Sequence, residues 1–135
     1  MNKVVVDTNI LFSSFLSKNS NIRKILLSDR FLFFSCNSCI AELIVLKDRI
    51  KKYTKLKEKE LFYFIHEIVQ KIEFVNERYI SKEAFYKAWQ LCREIDESDT
   101  PFVALTIELN ALLWTGDKKL KEGLKKKGFN SFFEI

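Results

Sequence analysis

The 135-residue sequence is poor in the two residues that most often interrupt regular structure, with 3 Gly and 1 Pro. Flexible linkers are rich in small and turn-forming residues, and no segment of this chain has such a composition. We therefore expect one domain over residues 1–135, which is an ordinary domain length. The hydrophobic content of 47% is enough for a packed core and argues against intrinsic disorder.

Histidine and cysteine are also scarce. With His66 as its 1 histidine, the chain lacks the histidine pair of a metal-free ribonuclease and the ligands of a histidine-rich zinc site. The 3 Cys are an odd number, and residues 1–6 do not resemble a signal peptide, so we expect a protein of the reducing cytoplasm. No apolar run approaches the roughly 20 residues that cross a bilayer, so we expect no membrane association.

The chain is mildly basic. It has 23 Lys and Arg against 18 Asp and Glu, which gives a formal net charge of +5. This balance is compatible with a polyanionic partner but does not identify one. The position of the charges is therefore more informative than their sum.

Short β-branched and aromatic runs alternate with amphipathic segments along the chain. Strands are predicted at residues 4–6, 31–34, 72–75 and 111–114, with a short fifth strand at 132–133. Helices are predicted at about 10–16, 22–28, 37–50, 57–71, 81–95, 100–110 and 117–128. This alternation predicts an α/β fold, a three-layer α/β/α sandwich around a central, mostly parallel sheet of 4–5 strands.

Carboxylates stand where the predicted strands end. Asp7 and Asp117 directly follow two buried strands, and Glu42 lies in the first turns of the helix after another. Asp99 begins the helix before the fourth strand, with Asp96 one turn upstream. Because sites in open parallel sheets form beyond the carboxyl ends of the strands, we expect these side chains to meet in one crevice.

Such a cluster needs compensation, because like charges a few ångströms apart repel, and at least one carboxylate is expected to take up a proton unless a cation is bound. Hard oxygen ligands around an open position suit Mg²⁺ or Mn²⁺. Taken singly, Asp7 and Asp117 are more typical of helix N-caps, and the other three acids are more typical of exposed helix or turn residues. The shared edge of the sheet is what favours a site.

These residues stand in segments that resemble the PIN-domain family of nucleases. The segment KVVVDTNILFS resembles the family's first strand with its DTN signature. Glu42, in the segment SCIAELIVL, resembles the family's helical glutamate. The segment DESDTPFVALTIELNALLWTGDKKL, from Asp96 to Leu120, resembles the family's third-acid helix and the following strand that ends in TGD. The resemblance spans nearly the whole chain and is weakest between residues 53 and 95.

The resemblance implies a ribonuclease that binds Mg²⁺ or Mn²⁺ through Asp7, Glu42, Asp99 and Asp117. Asp96 is an alternative or additional ligand to Asp99. Water would attack a phosphodiester and leave 5′-phosphate and 3′-hydroxyl ends. Many similar proteins are toxins of toxin–antitoxin pairs, so the resemblance also implies an RNA substrate, an antitoxin partner and a homodimer.

Five further polar residues flank the expected ligands. Thr8, Asn9 and Thr115 would orient carboxylates or water, although local caps and turns explain them about as well. Lys118 and Lys119 adjoin the last acid and are the candidates for binding RNA phosphates. The other basic residues of segments 47–59 and 121–127 are typical of solvated helix faces.

Three alternatives remain at this stage. One is a non-catalytic interaction module on the same fold, and another is a nuclease that acts on single-stranded DNA. The third is a phospho-acceptor receiver domain, which expects an acidic pair after the first strand, where this chain has Asp7 alone. A redox pair formed by Cys36 and Cys39 is less favoured than inert, semi-buried cysteines.

Overall fold

The computed structural model describes residues 2–135 and contains a four-stranded sheet in which every pairing is parallel. The strands are β1 (Lys3–Val6), β2 (Leu32–Cys36), β3 (Ile72–Val75) and β4 (Leu112–Trp114). Their order across the sheet is β3-β2-β1-β4. The fifth strand expected at residues 132–133 is reduced to a single bridge between Phe132 and Leu113.

Seven α-helices connect and cover the strands. They are α1 (Thr8–Ser14), α2 (Asn21–Leu27), α3 (Asn37–Tyr53), α4 (Glu58–Lys71), α5 (Lys82–Cys92), α6 (Thr100–Leu109) and α7 (Lys118–Lys126). Short 3₁₀ turns at Glu77–Tyr79 and Glu97–Asp99 precede α5 and α6. No helix within residues 2–135 is both long and apolar enough to span a membrane.

The sheet is covered on both faces, as the α/β/α prediction requires. Val4, Val5 and Val6 follow one another in β1, so they point to alternate faces, and each is 0% exposed. Helix α6 packs on β1, β2 and β4 and is covered in turn by α5. Helices α3 and α4 contact β2 and β3, with α1 and α2 packed against them. The predicted three-layer fold is confirmed.

The capping residues explain where several helices begin and end. The side chains of Asp7, Ser20, Ser81 and Asp117 each accept a hydrogen bond from a backbone N–H in the first turn of the helix that follows. At the other end, Asn110 terminates α6 with a φ of 52°, a conformation that asparagine tolerates better than most residues.

The structure departs from the prediction most clearly in α3. The spacing of Ile40, Leu43, Ile44 and Ile50 in the sequence favours one apolar face on this helix, but Ile44 is 61% exposed whereas Ile50 is 6% exposed. The buried side of α3 is defined by Cys39 and Ile50, because α1 and β2 pack there. Neighbours in the fold, and not the periodicity of the helix, decide which apolar residues are covered.

Candidate active site

A cleft of about 160 Å³ lies at the carboxyl end of the sheet. It contains all five acids that the sequence predicted to converge. Its lining consists of Asp7, Thr8, Asn9, Glu42, Asp96, Ser98, Asp99, Phe102 and Asp117. The five acids, which come from distant parts of the chain, therefore lie together in one cleft, as predicted.

Parallel pairing of β1 and β4 brings the first and last acids to the same edge. Val6 is in register with Trp114, and the backbone N–H of Asp7 donates to the carbonyl of Trp114 over 3.2 Å. The chain leaves β4 through Thr115 and reaches Asp117 at the start of α7. Two residues 110 positions apart thus emerge side by side.

Both of these aspartates also cap helices. Oδ1 of Asp7 accepts from the N–H of Ile10 at 3.0 Å, and Oδ1 of Asp117 accepts from the N–H of Leu120 at 3.1 Å. The simple capping interpretation of the sequence is therefore correct as far as it goes. Each cap uses one oxygen, which holds the side chain in place and does not engage the other oxygen.

Two threonines contact the acids of the cleft, as the sequence suggested. The hydroxyl of Thr8 donates to Oε2 of Glu42 at 2.5 Å and so joins α1 to α3. The hydroxyl of Thr115 accepts from the N–H of Asp117 at 3.1 Å and also lies near enough to Asp7 to lower the pKa of that carboxyl. Asn9 is exposed at the rim of the cleft.

Asp99 and Asp96 both line the cleft but differ in their surroundings. Asp99 is half-buried, and its Oδ2 is enclosed without a hydrogen-bond partner among residues 2–135. Asp96 is exposed, and its Oδ1 accepts from the N–H and the hydroxyl of Ser98 at 3.0 and 2.7 Å. Ser98 and the buried Phe102 are lining residues that the sequence analysis did not single out. The D-x-S spacing of Asp96 and Ser98, typical of a local side-chain turn, is the signal that could have found the serine.

The cleft raises the pKa of two of its carboxyls. Burial, followed by repulsion from Asp117 and Glu42, raises the pKa of Asp7 from 3.8 to about 6, although hydrogen bonds from Thr115 and Ile10 oppose the rise. The pKa of Asp99 rises from 3.8 to about 7, first through burial and then through the surrounding acids. The five carboxylates therefore form one coupled group of negative charges.

The donor set of this cleft fits a hard divalent cation. All of its charged groups are carboxylates, and Oδ2 of Asp99 is a buried acceptor that a cation or its water would satisfy. Within the described chain, no three acids are placed closely enough to form a complete set of direct ligands. Mg²⁺ ordinarily binds through one or two carboxylates and keeps several waters, so the spacing of these acids is compatible with Mg²⁺ binding.

The remaining candidates lie outside the cleft. Lys118 and Lys119 are exposed in the first turn of α7, beside Asp117 but not among the lining residues. Cys36 and Cys39 are free, and both are 0% exposed. Burial, together with the charge of Glu77, raises the pKa of the Cys36 thiol to about 12. This environment matches the inert cysteines that were expected.

The architecture and the cleft define an α/β protein with a carboxylate site at the carboxyl edge of a parallel sheet. A receiver domain is not supported, because one acid follows β1 and the others come from α3, from the turn before α6 and from the start of α7. The model of the PIN domain matches residues 5–132, and the chain belongs to the PIN-domain family. PIN domains are generally nucleases that use divalent metals.

Solved structures share the fold of this chain. In all, 12 chains of known structure match, whereas no curated protein sequence matches the chain. One match is to the crystal structure of VapBC2 from Rickettsia felis bound to a DNA fragment from their promoter. The TM-score is 0.61 at 17% sequence identity, over 89% of this chain and 92% of that chain. A likeness at this identity establishes the fold.

Proposed function

We propose that this protein is a metal-dependent endoribonuclease that acts as the toxin of a toxin–antitoxin pair. One observation carries the catalytic part of the proposal: five acids from separate segments line one cleft. Two of them, Asp7 and Asp99, have a raised pKa that a bound cation would reverse. Family membership supports nuclease chemistry, and the fold of the VapBC2 structure supports the toxin class.

The proposed ligands, which would bind the cation directly or through water, are Asp7, Glu42, Asp99 and Asp117, with Asp96 as an additional acid at the mouth of the cleft. When bound, Mg²⁺ or Mn²⁺ would lower the pKa of a water molecule and stabilise negative charge that develops on the phosphodiester.

The other residues of the cleft would position these groups. Thr8 holds Glu42 through its hydroxyl, and Thr115 holds the backbone of Asp117 beside Asp7. The half-buried position of Asp99 limits its contact with bulk water, which strengthens its electrostatic interactions. In the reaction, a water oxygen bonds to phosphorus, the bond from phosphorus to the 3′ oxygen breaks, and that oxygen takes up a proton. The products are a 5′-phosphate and a 3′-hydroxyl.

The direct test is cleavage of single-stranded RNA with and without Mg²⁺ or Mn²⁺. We expect activity from the wild-type protein that EDTA removes and that Asp7→Asn or Asp117→Asn abolishes. Glu97→Gln is the control, because Glu97 is an exposed acid in the same 3₁₀ turn as Asp99 but does not line the cleft. Equal activity of Asp117→Asn and the wild type would refute the assignment of the site. Faster cleavage of single-stranded DNA than of RNA would favour the DNA nuclease alternative.

The non-catalytic alternative makes a different prediction for metal binding. An interaction module has no need of a cation, so calorimetric titration with Mn²⁺ would give no heat attributable to the cleft. The proposed nuclease binds Mn²⁺ in the wild type and loses affinity in Asp99→Asn. Residues 2–135 contain no complete set of direct ligands, so metal affinity has to be measured directly. This titration is therefore the first measurement to perform.

The partners proposed for this chain are RNA, an antitoxin and a second copy of the chain. Lys118 and Lys119 are proposed to contact RNA phosphates from the first turn of α7. Co-purification from the native host should recover a small antitoxin, and sedimentation should give a species of twice 16.0 kDa. Recovery of the chain alone in the co-purification would refute the antitoxin partner. A monomer only in the sedimentation measurement would refute the homodimer. The cytoplasm is the proposed location, because three free, buried cysteines suit a reducing compartment.

A further inference from the structure

The seam between α1 and α3 extends from the acidic cleft to a basic residue. We define the α1–α3 seam by Thr8 and Phe12 of α1 and by Glu42, Val45 and Arg49 of α3. At the cleft, the hydroxyl of Thr8 bonds to Glu42. Further along, the guanidinium of Arg49 lies over the ring of Phe12, 5.7 Å from its centroid. The same two helices therefore meet at both points.

Helix geometry places these groups in a row. Glu42 and Arg49 are two turns apart on α3, so they share one side of the helix at a separation of about 10.5 Å along its axis. Val45 lies between them on that side and is 80% exposed. Thr8 and Phe12 are one turn apart on α1 and face the same neighbour. The seam is thus an open strip that begins acidic, crosses an apolar patch and ends basic.

Arg49 is held in place yet has no anionic partner. It is exposed, and it forms no ion pair or side-chain hydrogen bond with any residue of the described chain. The aromatic ring beneath it limits its motion through a cation–π contact. Its neighbour Asp48 lies about 100° around the helix, so the carboxylate does not face the seam. All five N–H donors of the guanidinium therefore remain available to an anion.

The surroundings favour the α1–α3 seam over the far end of α7 as a path for phosphates. Lys121 of α7 is paired with Glu134, and Lys127, which directly follows α7, is paired with Glu94. Of the basic residues near the end of this helix, Lys125 and Lys126 form no ion pair within residues 2–135. In segment 47–59, by contrast, no Lys or Arg forms an ion pair with another described residue. Lys52 stands one turn beyond Arg49 and continues the positive charge of the strip.

We infer that a single-stranded RNA leaves the acidic cleft along the α1–α3 seam, and that Arg49 binds a phosphate near the scissile one. This inference rests on the proposed function and names the path of its substrate. A guanidinium suits the role because it meets two phosphate oxygens at once in a fixed geometry. Arg49 is a positioning residue in this scheme, since a cation held by the acids of the cleft would engage the reacting phosphate.

The test compares Arg49→Gln with Arg30→Gln. Arg30 is a close control, because it is also exposed, lies over an aromatic ring (that of Phe31, at 5.4 Å) and forms no ion pair within residues 2–135. It precedes β2, at the end of the sheet opposite the cleft. Affinity for a fluorescent single-stranded RNA is measured across salt concentrations in an Asp117→Asn background, and kcat and KM are measured in the active protein.

Loss of one phosphate contact has a defined signature. Arg49→Gln should reduce the slope of log affinity against log salt by about 0.7, the value for one contact on a single strand. It should raise KM about fivefold and leave kcat nearly unchanged, since uniform binding is lost. Arg49→Lys should recover part of the affinity because it retains the charge. Arg30→Gln should behave as the parent protein in both assays.

The outcomes separate this inference from the proposed function. An active wild-type enzyme in which Arg49→Gln and Arg30→Gln behave alike would overturn the path and leave the nuclease intact. A protein that binds RNA without cleaving it would refute the nuclease, while the salt slopes would still decide the role of Arg49. A protein that neither binds nor cleaves RNA would refute both. Circular dichroism of each variant excludes unfolding as the cause.

Discussion

Asp7 and Asp117 each use one carboxylate oxygen to cap a helix, and the same side chains line the acidic cleft. The two roles support each other, because the cap holds the carboxylate in one orientation before any ligand arrives. Asp99 has no such tie: as the first residue before α6 it makes no side-chain cap, and one of its oxygens is buried without a partner in the described chain.

The difference between Asp99 and Asp96 leads to a prediction about the third ligand. Asp99→Asn should lower the rate of RNA cleavage by at least about a hundredfold, whereas Asp96→Asn should lower it by about tenfold or less. The physical reason is that Asp99 is half-buried with a free oxygen, and Asp96 is exposed and bonded to Ser98. Initial rates over a titration of Mg²⁺ measure both effects. The opposite ranking would make Asp96 the ligand.

The cysteines provide a second prediction at this scale. Cys36, Cys39 and Cys92 are buried, and burial raises the pKa of the thiols of Cys36 and Cys92 to about 12. The thiolate is the reactive form, so the folded protein should not react with iodoacetamide at pH 8. Mass spectrometry should find no label on the native chain and three labels after denaturation. Labelling of Cys36 or Cys39 in the folded protein would revive a redox role.

Among the elements, the turn from α1 to α2 depends on one buried arginine. Arg23 is 5% exposed and donates hydrogen bonds to the carbonyls of Ser14, Ser17 and Lys18 at 2.6–2.8 Å. Its guanidinium also lies over the ring of Phe64 in α4, 4.1 Å from the centroid. A single side chain therefore fixes the exit of α1 and packs α2 against α4.

Replacing this arginine should be costly. Arg23→Met keeps much of the apolar stem but leaves three carbonyl groups without their donor, so the free energy of unfolding should fall by about 2–4 kcal/mol. Urea denaturation measures the change. Lys24→Met, at an exposed position of the same helix, should change stability by less than about 0.5 kcal/mol. Equal stability of the two variants would show that water replaces the guanidinium at little cost.

For the molecule as a whole, the acidic cleft couples stability to pH. Folding raises the pKa of Asp7 from 3.8 to about 6 and that of Asp99 from 3.8 to about 7. Over this range the native chain binds more protons than the unfolded chain does. The contribution of these two groups to the free energy of unfolding therefore falls as pH rises from about 4 to about 7.

This coupling is tested by removing one charge in the absence of metal. In EDTA at pH 8, Asp99→Asn should be more stable than the wild type by about 1–3 kcal/mol, a range reduced for solvent screening. The difference should shrink towards pH 4, where the wild-type carboxyl is protonated. Mg²⁺ should stabilise the wild type at pH 8 more than it stabilises the variant. A wild type more stable than Asp99→Asn in EDTA would mean that other groups already compensate its charge.

Much of the fold was predictable because its signals are local. The β-branched run at residues 4–6 predicted β1, and the caps at Asp7, Ser81 and Asp117 predicted the starts of three helices. The predicted end of α6 near residue 110 agrees with the structure, in which Asn110 ends the helix with a positive φ. Weaker signals failed: the apolar pair at residues 132–133 formed one bridge to Leu113 instead of a strand. A strand of that length depends on its neighbour more than on its own sequence.

By itself the sequence determined the types of element, their order and the acids that follow the strands, because these depend on side-chain chemistry and short spacings. Tertiary structure alone decided which acid is buried: Asp99 is half-buried and its pKa is raised, whereas the side chain of Asp96 stays exposed. It alone also buried Arg23 and placed the guanidinium of Arg49 over the ring of Phe12. Burial and contacts between distant segments depend on how helices pack on the sheet, and no local pattern encodes that packing.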